Sequence, residues 1–322
     1  MHDTRMKRAL AVGFGLALTL ASVGGAAASG QNAATRPENF MPTRGQAGNH
    51  GKPVRSKNLS FHGGDPGVVT GADKVYLVAW GSGWGTNGST DPSGEVTLLK
   101  NFFSNVGGSP WNNSVTQYCQ GVAVGTVTCG SSGIHAVNPA GSLWGGTWFD
   151  TGNVAPAHPS QSDLAAEAAR AAAHFGNTTA ATNKTVQYAI LTATGNNASG
   201  AGSSYCAWHS WTSSNYGTLA YTNMPYVTDF GYACGAGFNG LGPNAGITIV
   251  EGHEFAETET DIFPSSGWVD SGGAENADKC AWISSGQGAS ANITLGGTNY
   301  PVQSLWSNAY GGGAGGCVLS YP

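Results

Sequence analysis

Six cysteines, at positions 119, 129, 206, 234, 280 and 317, constrain this chain more than any other feature. Their number is even, and they follow a stretch with the form of a secretory signal: Arg5, Lys7 and Arg8, an apolar run over 9–23, then Ala26-Ala27-Ala28. The combination reads as disulfides formed in an oxidising, extracellular compartment. Sequential pairing, 119–129, 206–234 and 280–317, is expected because each pair then staples one Gly-rich loop. No C-x-x-C occurs, which argues against a cysteine-bound zinc. The apolar run lacks a stop-transfer flank and nothing later approaches a membrane span. The reading is a secreted protein with no span in its mature form.

Residues 1–28 are therefore set aside as a signal peptide. Residues 29–60 hold Pro, Gly and Asn, few apolar side chains, and five bases (Arg36, Arg44, Lys52, Arg55, Lys57) against one acid, Glu38. Such a segment cannot bury enough apolar surface to fold alone, so a disordered basic linker or pro-segment is expected. The remainder, 61–322, has the length of one domain.

Charge narrows the partners. That domain carries 5 Lys and Arg against 16 Asp and Glu, a formal net charge of −11. That balance argues against a nucleic-acid partner, because phosphates require a basic patch. Half of those acids (Glu251, Glu254, Glu257, Glu259, Asp261, Asp270, Glu275 and Asp278) lie within 251–278, followed by one base, Lys279.

Strands are predicted at 73–81 (DKVYLVAWG), 185–195 (TVQYAILTATG) and 217–226 (GTLAYTNMPY), each an apolar β-branched or aromatic run bounded by turn residues. Helices are predicted at 91–108, capped by Ser93 and stopped by Gly107-Gly108, and at 159–176, alanine-rich and ended by Gly176. Residues 114–129 read as a hairpin crossed by a disulfide. The β-α-β-α-β order gives the expected class: α/β or α+β, a single domain with a mixed sheet and long Gly/Ser/Asn loops.

The stretch ITIVEGHEFAETETDIFP, 247–264, carries the chemistry. Read as a helix over 247–261 that ends before Pro264, its apolar stripe starts at Ile247 and Val250. Continued at 3.6 residues per turn, the stripe runs through His253/Glu254, Glu257 and Asp261. Inward carboxylates are costly unless paired or metal-bound, and with so few bases a cation is the natural partner. His253 and Glu257 are four apart and share one side of the helix, where both can hold one metal. Glu254 lies beside them, placed to accept a proton from metal-activated water. This is the H-E-x-x-H arrangement with glutamate in place of the second histidine. A third ligand must come from elsewhere, and Glu275 is the first choice. Asp261 is a ligand or a partner orienting His253. His209 is a ligand or a donor to a reacting oxyanion.

Other readings compete. A solvated acidic helix explains the charges without chemistry. Many oxygens in one region suit calcium, whereas His253 favours zinc. Paired carboxylates among 251–278 suffice for glycoside hydrolysis but leave His253 unused. No G-x-S-x-G elbow and no phosphate-cradling loop occur. Exposed members of the ten tryptophans offer a surface for cell-wall polysaccharide.

The residues CAWHS (206–210), YTNMPY (221–226), HEFAETETD (253–261) and GWVDSGGAENADKC (267–280) resemble a family of secreted bacterial proteins, particularly from actinomycetes. That family is in turn similar to the plant EXORDIUM/phosphate-induced-protein-1 group. The shared pattern is C-x-x-H, H-E-x-x-E-x-x-T-D, G-W-x-D and E-x-x-D-x-C. The likeness is close over 200–280 and loose elsewhere. It places His209, His253, Glu254, Glu257, Thr260, Asp261, Asp270, Glu275 and Asp278 in motifs. It implies a zincin-like metallopeptidase and an extracellular setting, but no substrate. Here Ile262 follows Asp261, with Pro264 two residues on, where the family pattern has T-D-P.

The expectation is a secreted zinc hydrolase acting on protein or peptide. His253, Glu257 and Glu275 bind the metal and Glu254 is the general base. The alternative is a non-catalytic extracellular or wall-associated protein with structural calcium.

Overall fold

A computed structural model describes residues 40–46 and 58–321. The signal-peptide reading of 1–28 lies outside the described residues.

The centre is a six-stranded mixed sheet. In spatial order its strands are Met41–Pro42, Tyr205–Ser214, Gly217–Met224, Val186–Thr192, Lys74–Trp80 and Trp144–Asp150. Four of them, Gly217–Met224 through Trp144–Asp150, run parallel, and Tyr205–Ser214 joins antiparallel to Gly217–Met224. Every residue of the central strand Val186–Thr192 is buried, as a parallel strand covered on both faces requires.

The period-two alternation of strands sorts their side chains into two cores. Leu77, Ala79, Ala189 and Leu191 enter one core, with helix α1 (Glu95–Asn105) and helix α3 (Ala245–Thr260). Val78, Trp80, Tyr188 and Ile190 enter the other, with Leu164, Ala168, Ala171 and Ala172 of helix α2 (Gln161–His174). The result is a helix–sheet–helix sandwich of the expected α/β class. The three disulfides pair as expected: Cys119–Cys129, Cys206–Cys234 and Cys280–Cys317.

Several local expectations are corrected. Helix α1 is capped by Asp91, not Ser93. The Asp91 carboxylate accepts from the N–H groups of Glu95 and Val96 at 2.9 and 3.0 Å, while Gly94 turns the chain at φ 67°. Residues 114–129 form no hairpin of their own. Asn112–Gln117 is 3₁₀, and Cys119–Gln120 pairs with Ile134–His135 beyond the disulfide loop. Two sheet strands, Trp144–Asp150 and Tyr205–Ser214, were not read from the sequence. The first contains two glycines and the second alternates into polar residues at its solvent end.

Residues 40–46 are docked, contrary to the linker reading of 29–60. Met41 is fully buried and extends the sheet, pairing antiparallel with Ala207 while Pro42 faces Tyr205.

Helix α3 is buried on every side. The stripe from Ile247 faces inward as expected, but the opposite face does not reach solvent. It packs on α1 and on the hairpin of Ala291–Leu295 and Thr298–Val302. Glu251 and Glu259 are therefore buried too, and Glu259 accepts from Asn112 Nδ2 at 3.0 Å. The acidic-surface-helix reading is thereby excluded.

Candidate metal centre

Three elements deliver the site. Helix α3 presents His253, Glu254 and Glu257 from successive turns. Strand Tyr205–Ser214 presents His209, and the loop after α3 presents Glu275 and Asp278. Two of the three disulfides fasten these parts: Cys206–Cys234 holds the strand three residues before His209, and Cys280–Cys317 holds the loop two residues after Asp278.

Hydrogen bonds fix both imidazoles in the same sense. Gln303 gives its amide N–H groups to the carbonyls of Ala277 and Ser304 at 2.8 and 3.2 Å. Its Oε1 therefore faces His253 Nδ1, 3.1 Å away, and Nδ1 carries the hydrogen. His209 Nδ1 lies 3.2 Å from Glu254 Oε2 and 3.4 Å from Glu257 Oε2. A carboxylate only accepts, so this Nδ1 is protonated as well. In the neutral imidazoles both Nε2 atoms then carry the lone pair, and both are buried without a hydrogen-bond partner.

What those lone pairs face is oxygen. His253 Nε2 meets Glu257 Oε1 at 3.0 Å, without the alignment of a hydrogen bond, and Asp278 Oδ1 at 3.7 Å. His209 Nε2 meets Glu275 Oε1 at 3.6 Å, and neither Glu275 oxygen is hydrogen-bonded. Lone pair against lone pair in a buried site is repulsive unless something positive lies between. The ligand atoms close into two sets, His209–Glu257–Glu275 and His253–Glu257–Asp278, each with all atoms within 4.8 Å of one another. These buried groups can hold a metal ion, and nitrogen–oxygen donor sets of this kind suit zinc and related divalent ions.

Without a cation the cluster binds protons. Burial pushes the Glu254 and Glu275 carboxyls up, and Asp278 to about 8. Burial presses Glu257 the same way, but the two histidines outweigh it and hold this carboxyl down to about 2. Burial opposes charge on His253, yet Glu257, Glu254 and Asp278 raise it to about 9. His209 is raised well above the ordinary range against the same penalty, chiefly by Glu275. Lys279, the base nearest in sequence, is bonded to Asp270 at 2.8 Å.

The predicted residues distribute as follows. His209, His253, Glu254, Glu257 and Glu275 come together. His253 and Glu275, expected on one ion, fall in different sets joined through Glu257. Asp261 lies outside both sets at the end of α3, where its Oδ1 accepts from the N–H and hydroxyl of Ser266. Asp270 anchors its own turn by accepting from Gly272 and Ala274 N–H. Asp278 stood among the motif acids without being assigned as a ligand, and Gln303 was not singled out at all. The Glu275–Asp278 spacing carried a signal for the first, since Asp278 Oδ2 accepts the Glu275 N–H at 3.2 Å. Nothing local marks Gln303.

The docked segment reaches the site. The Met41 N–H donates to Glu254 Oε1 at 3.3 Å. Trp282 Nε1 holds the Pro42 carbonyl at 2.6 Å. Within the cluster only the Asp278 side chain is partly exposed, at 21%. No family model, no curated protein and no solved structure matches this chain.

Proposed function

We propose that this chain is a secreted, zinc-dependent hydrolase that cleaves peptide bonds. The observation that carries the reading is residues 40–46: a polypeptide backbone already lies antiparallel along strand Tyr205–Ser214 with its N–H on Glu254. A substrate strand added to the same edge brings its amide groups to the same carboxylate, a common mode of peptide capture.

A zinc ion, when bound, polarises the scissile carbonyl and makes water acidic enough to deprotonate near neutral pH. The chain's own residues do the rest. His253 and Glu257 would hold the ion, with Gln303 fixing the histidine. Glu254 takes the proton of the attacking water at Oε1 and passes it to the nitrogen of the leaving amine as the C–N bond breaks. The His209 Nδ1–H keeps the Glu254 carboxylate oriented through Oε2. Burial excludes bulk water from the reacting atoms. The motif resemblance to metallopeptidase-like secreted proteins and the three disulfides support the same reading.

The test is Glu254→Gln in the full chain, assayed on an unstructured protein such as casein. Hydrolysis is expected to fall by about 10²–10⁴-fold while metal content stays at the wild-type level. Hydrolysis that survives both chelation and this substitution sinks the proposal.

A second reading, a structural ion in a non-catalytic wall-associated protein, is favoured by the near-complete burial of the cluster. It predicts thermal stabilisation by the ion, calcium included, without any hydrolysis.

A further inference from the structure

The cluster offers more donors than one ion uses. A single zinc takes about four ligands at roughly 2.0–2.2 Å. Here the two histidines belong to separate sets that share one residue, Glu257. Glu257 Oε1 faces His253 Nε2 at 3.0 Å, while Oε2 lies on the His209 side, 3.4 Å from Nδ1. Each imidazole is pinned at Nδ1 by its own acceptor, Gln303 for His253 and Glu254 for His209. One histidine prepared in this way describes a mononuclear site; two, aimed into different carboxylate sets, do not.

Three further observations agree. The Glu275 carboxylate is wholly buried with neither oxygen hydrogen-bonded, which is costly for a group without a cation. The ion pairs of Glu254, Glu257, Glu275 and Asp278 run to the two histidines. With those histidines neutral, as metal ligation requires, four carboxylates are balanced by two divalent ions, whereas one leaves two charges buried.

We infer that the site holds two divalent cations of the zinc, manganese or cobalt class, bridged by Glu257. One is held by His253, Glu257 and Asp278, the other by His209, Glu257 and Glu275. Carboxylate-bridged pairs of this kind clamp a carbonyl or phosphoryl oxygen and an attacking oxygen together. The inference rests on the metal reading above, and its test separates the two. Metal analysis of the full chain, equilibrated with zinc and freed of excess, is expected to give two ions per chain. Glu275→Gln and Asp278→Asn are each expected to give one. One ion in wild type, unchanged by Glu275→Gln, overturns the second site and leaves the mononuclear reading intact. No ion in wild type overturns both. Should a variant misfold, manganese-loaded wild type decides alone: a spin-coupled paramagnetic resonance signal is expected, and isolated-ion spectra at saturation overturn the pair.

A different observation assigns a role to residues 40–46. Their hold is specific. The Arg44 guanidinium lies 3.3 Å from the centre of the Tyr232 ring and 4.5 Å from that of Phe238, and donates to the Tyr232 hydroxyl. The backbone N–H of Arg44 donates to the Ala233 carbonyl at 3.0 Å. Tyr232 and Ala233 adjoin Cys234, whose disulfide fastens the strand that Met41 pairs with. The geometry points to an intramolecular inhibitor: this segment occupies the substrate edge and must leave before another peptide enters.

The test uses full-chain Arg44→Glu, which removes the cation from both rings. Hydrogen exchange at Met41 is expected to speed up at least tenfold. A synthetic peptide of sequence 38–47 is then expected to bind the variant and not wild type. Exchange at Met41 unchanged from wild type overturns the clamp. Fast exchange with no peptide bound overturns the shared edge. The inhibitor role rests on the peptidase reading above, but both readouts are independent of hydrolysis, so failure of the clamp and failure of that reading are distinguishable.

Discussion

Gln303 shows how much of the site depends on a side chain that binds nothing itself. Its carboxamide sets the His253 tautomer, and its amide hydrogens are committed to two carbonyls. Orienting partners of this type typically change metal affinity by about 10–100-fold. Gln303→Met keeps the volume and removes the acceptor, so zinc affinity is expected to fall within that range, read by competition against a chromophoric chelator. Unchanged affinity would show that His253 needs no orientation. The sequence made His253, Glu254 and Glu257 legible because helical periodicity alone brings i and i+4 to one side. It also brought Asp261 into phase, but Ser266, five residues on, engages that carboxylate where the helix ends. Gln303 was illegible because only the fold carries a loop residue 50 positions away onto His253.

Among the elements, α3 departs most from what its pattern suggests. A stripe calculation assigns one face to the core and leaves the other to water. Here a hairpin from the far end of the chain covers the second face, and no property of 245–260 announces it. The tolerance of the helix is correspondingly small at its start. A Cβ on Gly246 would overlap the Cys234 carbonyl oxygen, a backbone atom that cannot turn away. Gly246→Ala is therefore expected to destabilise by about 1–3 kcal/mol or more, seen as a lower denaturation midpoint. A variant as stable as wild type would contradict the close packing of α3 on the Cys206–Cys234 loop. The strand carrying His209 escaped sequence reading for a related reason: it lies near the sheet edge and only its first half, Tyr205–His209, is buried.

At the scale of the molecule, the β-α-β order and the disulfide pairing were legible, the first from periodicity and the second from loop economy. The boundary at residue 60 was not, because a few contacts, with Met41 and Phe40 on the cores and Arg44 on two rings, anchor a segment whose composition reads as unfolded. The buried cluster also couples stability to metal and pH. In the metal-free chain Asp278 keeps its proton to about pH 8 and His253 to about 9, against about 4 and about 6.5 when unfolded. The folded state then binds more protons across those windows, so its stability falls as pH rises through them. A divalent ion bound there would take the place of those protons. At a free ion concentration a hundredfold above the dissociation constant the gain is about 2.7 kcal/mol, or roughly 5–10 °C in Tm for a domain of this size. The gain is expected to be larger at pH 8.5 than at pH 6, where ions compete with protons. Calorimetric scans with and without chelator at the two pH values check this. Equal Tm values in all four would leave the cluster without a cation.

Glu257 is the residue common to both ligand sets, so it carries the central claim. The most direct measurement is calorimetric titration of zinc into chelator-stripped wild type and into Glu257→Gln, with circular dichroism confirming the same fold in both. Wild type is expected to take up zinc and Glu257→Gln to take up none at the same concentrations. Uptake by Glu257→Gln equal to wild type, or none by wild type itself, would contradict a metal centre at this site.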